Sequence, residues 1–379
     1  MKSIITVAPY SFVLTVLCLS ALTCSRGDNA KPVIEELILP TIVQPGETVV
    51  FKVVAHDPDG DQLTYIWMVN GEILSTTQST AIWVVTQALA GQKIDVVISV
   101  NDSLNEPIVT KSPLKIRSFD TQHPENMVLI PTGEFEMGTD ADQIPQLLRL
   151  EKQYFPDVEA GWFENETPRH KVCLDAFYMD IYEVSNAQYK EFIDETGYHL
   201  PLYWNTFDFA PDHPVVGIRW YDAVVYAKWV GKRLPAEAEW EYAVRSGLVG
   251  KKYPWGDAEV DGKRASFADK TINLNWSNKN VSDGYKYTAS VGTFPPNDYG
   301  LYDMAGNMFE WCFGWYDADY YAKSPEYNPT GPISGTMRVI RGGSWSYPPT
   351  RMRVSRRTEK HLTSMLDYVG FRCIKSVVP

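Results

Sequence analysis

The apolar residues of this 379-residue chain follow two different patterns, and the change falls near residue 118. Between residues 31 and 118 apolar and polar residues alternate, as in strands that each bury one face. After residue 127 the alternation gives way to short helical stripes separated by stretches rich in Gly, Asn, Asp and aromatic residues. The chain is therefore predicted to contain a small all-β unit followed by a larger unit with little regular secondary structure.

Three segments carry the alternation of the first unit: TVVFKVVA at 48–55, LTYIWMV at 63–69 and IDVVISV at 94–100. The pair Asn70-Gly71 after the second segment is typical of a two-residue hairpin turn, because both residues tolerate a positive φ. These features predict a β-sandwich over residues 31–118, which resembles the immunoglobulin-like and PKD-like modules of bacterial surface proteins. The acidic stretch at 57–61 could hold calcium, but turn formation explains its composition and is the preferred interpretation.

A polar linker at 119–126 leads to the second unit, residues 127–379. In VSNAQYKEFIDETGY, Ser185 and Gln188 have the spacing of a capping box, and Gly197 is placed to end the helix. In RLPAEAEWEYAVRSG, Pro235 is placed at a helix start. Both segments space their aromatic and aliphatic residues at helical intervals, which predicts helices that pack one face on a core.

The N-terminus has the composition of an export signal. A single Lys precedes an apolar run that ends in polar residues after Cys24, and no later segment has the roughly 20 consecutive apolar residues of a membrane-spanning helix. Ser20-Ala21-Leu22-Thr23 before Cys24 resembles a lipobox. We therefore predict a signal peptide at 1–23, lipidation of Cys24 and a tether at 24–30, which gives an exported, membrane-anchored lipoprotein; plain secretion is the alternative.

Composition excludes several function classes. The net charge of −12, with no basic stripe, argues against binding to nucleic acid. The six histidines lack the spacing of a zinc hydrolase, and there is no P-loop, dinucleotide fingerprint or G-x-S-x-G motif. Only three cysteines follow Cys24, so no disulfide framework is expected.

Short blocks run through the second unit in this order: MVLIPTGEFEMGTD, DAFYMDIYEVSNAQYKEFI, PVVGIRWYDAVVYAKWVGKRLPAEAEWEYAVRSG, YPWGD, FPPNDYGLYDMAGNMFEW, RGGSW and VGFRC. They resemble the successive signatures of the formylglycine-generating enzyme (FGE) family, the sulfatase-modifying factor domain, over residues 127–375. The resemblance implies an α+β fold related to C-type lectins, with little regular secondary structure and with structural calcium. Active members oxidise a sulfatase cysteine to formylglycine with molecular oxygen and a copper ion held by two cysteines.

The resemblance also implies two calcium sites, which would supply the carboxylate, amide and carbonyl oxygens that this ion prefers. In DMAGNMFEW the ligands would be the side chains of Asp303 and Glu310 and the carbonyls of Gly306 and Met308. In TINLNWSNKNVSDGY they would be the side chains of Asn273 and Asp283, followed by the carbonyls of Leu274 and Tyr285. Calcium is thus an expected structural cofactor.

The segment RGGSWSYPPTRMRVSRR, residues 341–357, departs from the family pattern. The copper-binding cysteines of active members would fall on Tyr347 and near Pro349, and no Cys occurs between Cys312 and Cys373. Copper is therefore not expected. The four residues Ser344, Trp345, Tyr347 and Arg351 are instead expected to line an aromatic and cationic pocket that suits binding better than redox chemistry.

Three functions remain open. The first is a non-catalytic binding or scaffold component of the bacterial envelope, with an envelope protein or a glycan as its partner. The second is a formylglycine-generating oxidase that matures sulfatases. The third is another oxidase built on the same fold.

Overall fold

The computed structural model describes residues 29–40, 42–43, 47–74, 76–89, 91–116, 126–205 and 210–377. The chain divides into two compact units, Met1–Thr121 and Gln122–Pro379. The predicted signal peptide at 1–23 and Cys24 lie outside the described residues. Within the described ranges, no helix is both long enough and apolar enough to cross a membrane.

The first unit consists of two β-sheets. Its strands are β1 Val33–Ile38, β2 Ile42–Val43, β3 Thr48–His56, β4 Thr64–Val69, β5 Glu72–Ile73, β6 Thr80–Val84, β7 Lys93–Asn101 and β8 Ile108–Ile116. One sheet has the order β1-β3-β6 and the other β2-β8-β7-β4-β5. All pairings are antiparallel except that of β2 with β8.

A single hydrophobic core lies between these sheets, which confirms the predicted β-sandwich. Phe51 on β3 stacks on Trp67 of β4 with ring centroids 5.9 Å apart, and both side chains are fully buried. Asn70 and Gly71 have φ angles of 50° and 84° in the turn between β4 and β5, as their sequence predicts. The alternation therefore located both the strands and their buried faces.

The acidic stretch at 57–61 forms a turn. The Oδ1 atom of Asp57 accepts hydrogen bonds from the backbone N–H of Asp59 at 2.9 Å and of Asp61 at 3.2 Å. These are the side-chain-to-backbone contacts that favour Asp in turns.

The described part of the second unit mixes short strands with four α-helices. The strands are β9 Met127–Ile130, β10 Gly133–Met137, β11 His170–Leu174, β12 Phe177–Asp180, β13 Phe309–Trp315, β14 Met337–Arg341, β15 Thr358–His361, β16 Val369–Gly370 and β17 Ile374–Ser376. The helices are α1 Ile144–Glu151, α2 Asn186–Thr196, α3 Trp220–Trp229 and α4 Glu237–Arg245. This is the α+β organisation expected of the second unit.

A four-stranded sheet with the order β15-β14-β13-β16 separates two hydrophobic cores. Trp311 and Ile340 belong to the core that also receives α2 and α3. Their neighbours Cys312 and Val339 belong to the core that receives α4. Successive residues of a strand point to opposite faces, so this sheet buries both of its faces.

The helix boundaries follow the predicted signals with one shift. Ser185 and Gln188 form the capping box of α2, and Gly197 ends the helix with a φ of 67°. Helix α4 begins at Glu237, and its preceding residue Ala236 donates its backbone N–H to the Glu239 carboxylate at 2.7 Å. Without an Asn, Asp, Ser or Thr at that place, a first-turn carboxylate performs the capping.

Residues 246–308 contain no helix or strand, although all of them are described. Their backbone is held by hydrogen bonds to segments distant in sequence. Ala268 donates to the carbonyl of Tyr347 at 2.9 Å, and Val354 donates to that of Lys252 at 2.8 Å. Some of the backbone N–H and C=O groups of the irregular stretch thus form hydrogen bonds with the segment that follows β14.

Buried ion pairs join the elements around α4. Arg341 on β14 contacts Glu237 at 2.9 Å and Glu241 at 2.6 Å, and Arg357 contacts Glu237 at 2.7 Å. Arg341, Arg357 and Glu241 expose no more than 1% of their surface. These charges are partnered, as buried charges must be if their desolvation is to be offset.

Candidate functional site

Two glycines begin the loop that follows β14. Gly342 and Gly343 have φ angles of 100° and 80°, which L side chains rarely adopt. A Cβ atom on Gly343 would lie 2.7 Å from the Cγ atom of Met352. Directly afterwards, Ser344 is fully buried and Trp345 keeps only 6% of its surface exposed. The turn therefore requires glycine and directs the next residues into the domain.

The resemblance places the two copper ligands of active members on Tyr347 and near Pro349. The Tyr347 ring packs against Phe309 and Tyr368, with centroids 5.3 Å and 5.4 Å away. Pro349 begins a short 3-10 helix, Pro349–Met352. Neither residue supplies a thiolate, so this loop does not fit a copper ion held by two cysteines.

The described cysteines do not provide a substitute pair. Cys173, Cys312 and Cys373 are all free. Cys312 and Cys373 are buried in separate hydrophobic clusters, and burial raises the pKa of both thiols well above the usual value. A thiol in such surroundings is a poor source of the thiolate that Cu(I) prefers.

The four residues predicted to line one pocket do not converge. The hydroxyl of Ser344 lies against another serine hydroxyl in the interior, 3.2 Å away, and Tyr347 packs in the aromatic cluster described above. The Nε atom of Arg351 is 2.8 Å from a carboxylate oxygen of Glu151, although the two are not aligned as a hydrogen bond. Of the four, Trp345 alone lines the cleft described next. Arg351 thus lies beside Glu151, which compensates its charge, and does not line the cleft beside Trp345.

The cleft beside Trp345 is small, with about 50 Å³ open to the centre of a water-sized molecule. Segments far apart in sequence supply its aromatic walls: Tyr203 and Trp204 follow α2, Tyr287 belongs to the irregular stretch, and Trp345 follows the two glycines. Asp367, just before β16, also lines it. The indole N–H of Trp345 donates to the main-chain carbonyl of Asp367 at 3.2 Å, which joins two of the walls.

The titratable groups of this cleft, apart from its tyrosines, are His213 and Asp367. Burial lowers the pKa of His213, whose Nδ1 atom is 3.0 Å from the hydroxyl of Thr288, so its ring is neutral. Burial raises the pKa of the Asp367 carboxyl, which is half-buried. Among the described lining residues there is no Lys or Arg. The cleft therefore combines aromatic rings with a carboxylate.

A second polar region surrounds Asp303, which is 5% exposed. The predicted ligand Glu310 is already partnered, because Arg372 donates to both of its carboxylate oxygens at 2.7 Å and 2.8 Å. Asp303 and the buried Glu183 each keep one carboxylate oxygen without a hydrogen-bond partner. Burial raises the pKa of Asp303 to about 6, and burial together with the charges of Asp303 and Glu310 raises that of Glu183 well above its usual range.

These orphaned oxygens are what a cation site would leave when no cation is present, since buried carboxylates otherwise find donors. Gly306 and Met308 lie between Asp303 and Glu310 on the same turn, as the predicted ligand set requires. The structure places Glu183 close enough to Asp303 for their charges to interact, and it places Glu310 in an ion pair with Arg372.

At the other predicted calcium site the structure favours a different residue. The amide oxygen of Asn273 and the carbonyl of Leu274 both accept hydrogen bonds from the Lys279 ammonium, which leaves them with a cationic partner of their own. The fully buried Asp269 instead lies beside Asp283, whose backbone N–H it accepts at 2.5 Å. Burial, with a smaller contribution from the charge of Asp269, raises the pKa of Asp283 to about 6.

Asp283 also accepts the backbone N–H of Tyr285 at 2.7 Å. The described residues include no group of three His, Cys, Asp or Glu side chains arranged to hold a metal. Any cation at either carboxylate pair would therefore need main-chain carbonyls and water to reach six oxygens.

Sequence reasoning missed three residues, Glu183, Asp269 and Asp367. Asp269 had a usable signal, because it precedes a turn, where a short carboxylate is expected to bind backbone N–H groups. Glu183 and Asp367 carried no such signal, since each reaches its site only through contacts with distant segments.

Comparison with known proteins gives a family for the second unit. The model of the sulfatase-modifying factor enzyme 1-like domain matches residues 115–377. The formylglycine-generating enzyme of Bos taurus is 34% identical over 303 residues, covering 68% of this chain and 76% of that protein. The inactive C-alpha-formylglycine-generating enzyme 2 of Bos taurus is 31% identical, covering 65% of this chain and 87% of that protein. Among solved structures, PvdO from Pseudomonas aeruginosa superposes with a TM-score of 0.53 and 28% identity, covering 66% of this chain and 94% of PvdO.

Proposed function

The chain belongs to the sulfatase-modifying factor family, and we propose that it uses this fold for binding, as a non-catalytic component of the bacterial envelope. In this proposal it is exported, held at the membrane through a lipid on Cys24, and recognises an envelope protein or glycan.

The observation that carries the proposal is that no cysteine stands where the resemblance places the two copper ligands, on Tyr347 and near Pro349. Formylglycine formation removes electrons from a cysteine side chain, and in the family this depends on copper held by two thiolates. The loop here offers no thiolate, and Cys312 and Cys373 are buried in separate clusters. Membership of the family does not by itself imply the activity, because one relative is named as inactive.

Calcium remains part of the proposal as a structural ion. Asp303 and Glu183 would hold one ion, and Asp269 and Asp283 a second, each completed by carbonyls of the irregular stretch. The ion would neutralise carboxylates that otherwise repel one another in the interior. Its contribution would be to fix loops that have no helix or strand of their own.

The test is an assay of the purified full chain with copper, oxygen and a cysteine-containing sulfatase peptide, followed by mass spectrometry of the peptide. We expect no conversion of the cysteine to an aldehyde and no tight binding of Cu(I). An active formylglycine-generating enzyme, run in parallel on the same peptide, is the positive control. Conversion that depends on both this protein and copper would refute the binding function.

The alternative is oxidase activity, either towards a sulfatase cysteine or towards another substrate on the same fold. Oxygen uptake distinguishes oxidase activity from the non-catalytic binding function without knowledge of the natural substrate. Consumption of oxygen by the copper-loaded protein with a thiol reductant as electron donor, above that of copper and the reductant alone, would favour an oxidase. A Tyr347→Cys, Pro349→Cys double variant provides the matched comparison, since it restores the thiols at the two family positions.

A further inference from the structure

The aromatic cleft beside Trp345 has an unusual combination of linings. Tyr203, Trp204 and Tyr287 stand around it together with Trp345, and Asp367 is the charged group among them. Aromatic faces attract cations through their quadrupoles, and a carboxylate at the same place adds a direct charge interaction.

We propose that this cleft binds an organic cation, an ammonium or guanidinium group on a short alkyl chain, such as the side chain of lysine or arginine. This inference rests on the proposed binding function and names the chemistry of its ligand. Asp367 would pair with the cation, and the rings of Tyr287 and Trp204 would form the sides of the cage.

Burial and charge favour this ligand over an anion. Asp367 is half-buried, and its carboxylate forms no ion pair with a Lys or Arg among the described residues. An anion would meet that carboxylate with no compensating Lys or Arg in the described lining. The neutral His213 ring, already in contact with Thr288, adds no positive charge.

The geometry also argues against a sugar ring stacked on a flat platform. Trp345 keeps only 6% of its surface exposed, and its ring meets that of Tyr287 edge-on, at 89° with centroids 5.1 Å apart. Perpendicular rings form a corner. A corner suits a compact head group that touches several rings at once better than it suits a planar ligand.

The protein already places one cation near this site. The Lys286 ammonium lies 5.2 Å from the centroid of the Tyr287 ring. Lys286 is exposed and does not line the cleft. The Lys286 ammonium therefore competes with a bound cation for the Tyr287 ring and should weaken binding of that cation. Replacing it by a neutral residue should strengthen binding.

The experiment is calorimetric titration of the purified full chain with Nα-acetyl-lysine methylamide and with its neutral counterpart, Nα-acetyl-norleucine methylamide. Tetramethylammonium and N-acetylglucosamine are titrated separately, to represent a free cation and a sugar. We expect the lysine derivative to bind at least about tenfold more tightly than the norleucine derivative, the effect of roughly one well-placed charge interaction.

Two pairs of variants locate the binding site. Asp367→Asn should weaken binding of the lysine derivative about tenfold, whereas Asp157→Asn, at an exposed aspartate outside the cleft, should leave it unchanged. Tyr287→Leu should weaken binding, Tyr287→Phe should preserve it because the ring remains, and Lys286→Gln should strengthen it. Circular dichroism of each variant establishes that it is folded.

Equal binding of the lysine and norleucine derivatives, binding of the sugar alone, or no binding tighter than about 10 mM to any probe would overturn the cation inference. Those results would leave the absence of oxidase activity intact. Conversely, copper-dependent conversion of the sulfatase peptide would refute the proposed function even if the lysine derivative binds.

Discussion

Arg353 and Glu166 are joined by two parallel hydrogen bonds of 2.7 Å each, and both side chains are buried. Arg356 adds a third contact to the same carboxylate at 3.2 Å. Burial alone would raise the pKa of Glu166, but the charges and hydrogen bonds of the two arginines outweigh it and lower the pKa from 4.5 to about 2. These contacts join the segment that follows Gly342 and Gly343 to the segment that precedes β11.

This pair predicts an acid-sensitive step in stability. A carboxyl group with a depressed pKa stabilises the fold fully above its unfolded pKa of 4.5, and loses that contribution as pH falls towards 2. Glu166→Gln should destabilise the second unit by about 3 kcal/mol at neutral pH, because Arg353 would be left buried without its countercharge. The variant should also lose less stability than the parent on acidification. Urea unfolding at several pH values measures the stability at neutral pH and its loss on acidification. Glu164→Gln, at an exposed position, is the control. Equal acid sensitivity of the parent and Glu166→Gln would contradict this account.

Two glycines with positive φ angles allow the steric cost of an added side chain to be separated from the cost of its unfavourable backbone conformation. Gly343 and Gly284 both have positive φ angles, 80° and 93°, but a Cβ at Gly284 meets nothing within 4 Å. Gly284→Ala should therefore cost about 1–2 kcal/mol, the penalty for a side chain in this backbone region. Gly343→Ala should cost roughly 1–3 kcal/mol more, because its Cβ collides with Met352. Equal melting temperatures for the two variants would show that the loop relaxes around the added methyl group.

Calcium, if bound as proposed, predicts a chelation effect of definite sign. EDTA should lower the melting temperature of the second unit, since an ion at 100 times its Kd contributes about 2.7 kcal/mol. Asp303→Asn should reduce the shift caused by EDTA and should not destabilise the chelated protein, because it removes a repelling buried charge. Asp319→Asn, at an exposed position, is the control. A melting curve indifferent to EDTA, to added calcium and to Asp303→Asn would remove this ion from the proposal.

Glu310→Gln is expected to behave differently from Asp303→Asn. Glu310 pairs with the fully buried Arg372, so loss of its charge should destabilise the second unit by about 3 kcal/mol with or without EDTA. Differential scanning calorimetry of the variant with and without EDTA distinguishes this from a ligand role. Destabilisation that vanishes in EDTA would instead make Glu310 a calcium ligand.

The predicted lipid anchor concerns Cys24 alone. Cys24→Ser should move the protein from the membrane fraction to the soluble fraction, because the thiol is the attachment point of the lipid. Cys18→Ser, within the predicted signal peptide, is the control and should fractionate like the parent. Unchanged membrane association of Cys24→Ser would disprove the anchor without affecting the account of the second unit.

Local sequence signals predicted those elements that depend on residues close to one another in the sequence. The alternation around Phe51 and Trp67 located the sandwich strands, and Ser185, Gln188 and Gly197 marked the ends of α2. The blocks that resemble the family carried the fold of the second unit, whose long irregular stretches offer no periodicity to interpret.

The sequence could not show contacts that only the fold creates. The charge of Arg351 is compensated by Glu151, at the end of α1 and 200 residues earlier. The amide oxygen of Asn273, a predicted calcium ligand, accepts a hydrogen bond from the Lys279 ammonium. Lys279 lies within the same segment, but its position in the sequence does not indicate that its side chain turns back onto Asn273.

The hydrogen bonds from Ala268 to Tyr347 and from Val354 to Lys252 have a consequence for the order in which this protein can fold. Each closes a loop of roughly 80 to 100 residues that has no helix or strand through most of its first half, so the chain loses much entropy before those contacts can form. Such high contact order slows folding. During synthesis on a ribosome, residues 246–308 could fold only after the segment beyond β14 has left the exit tunnel. The second unit should therefore stay unfolded until its synthesis is almost complete, and a nascent chain that ends near residue 330 should remain open to proteolysis.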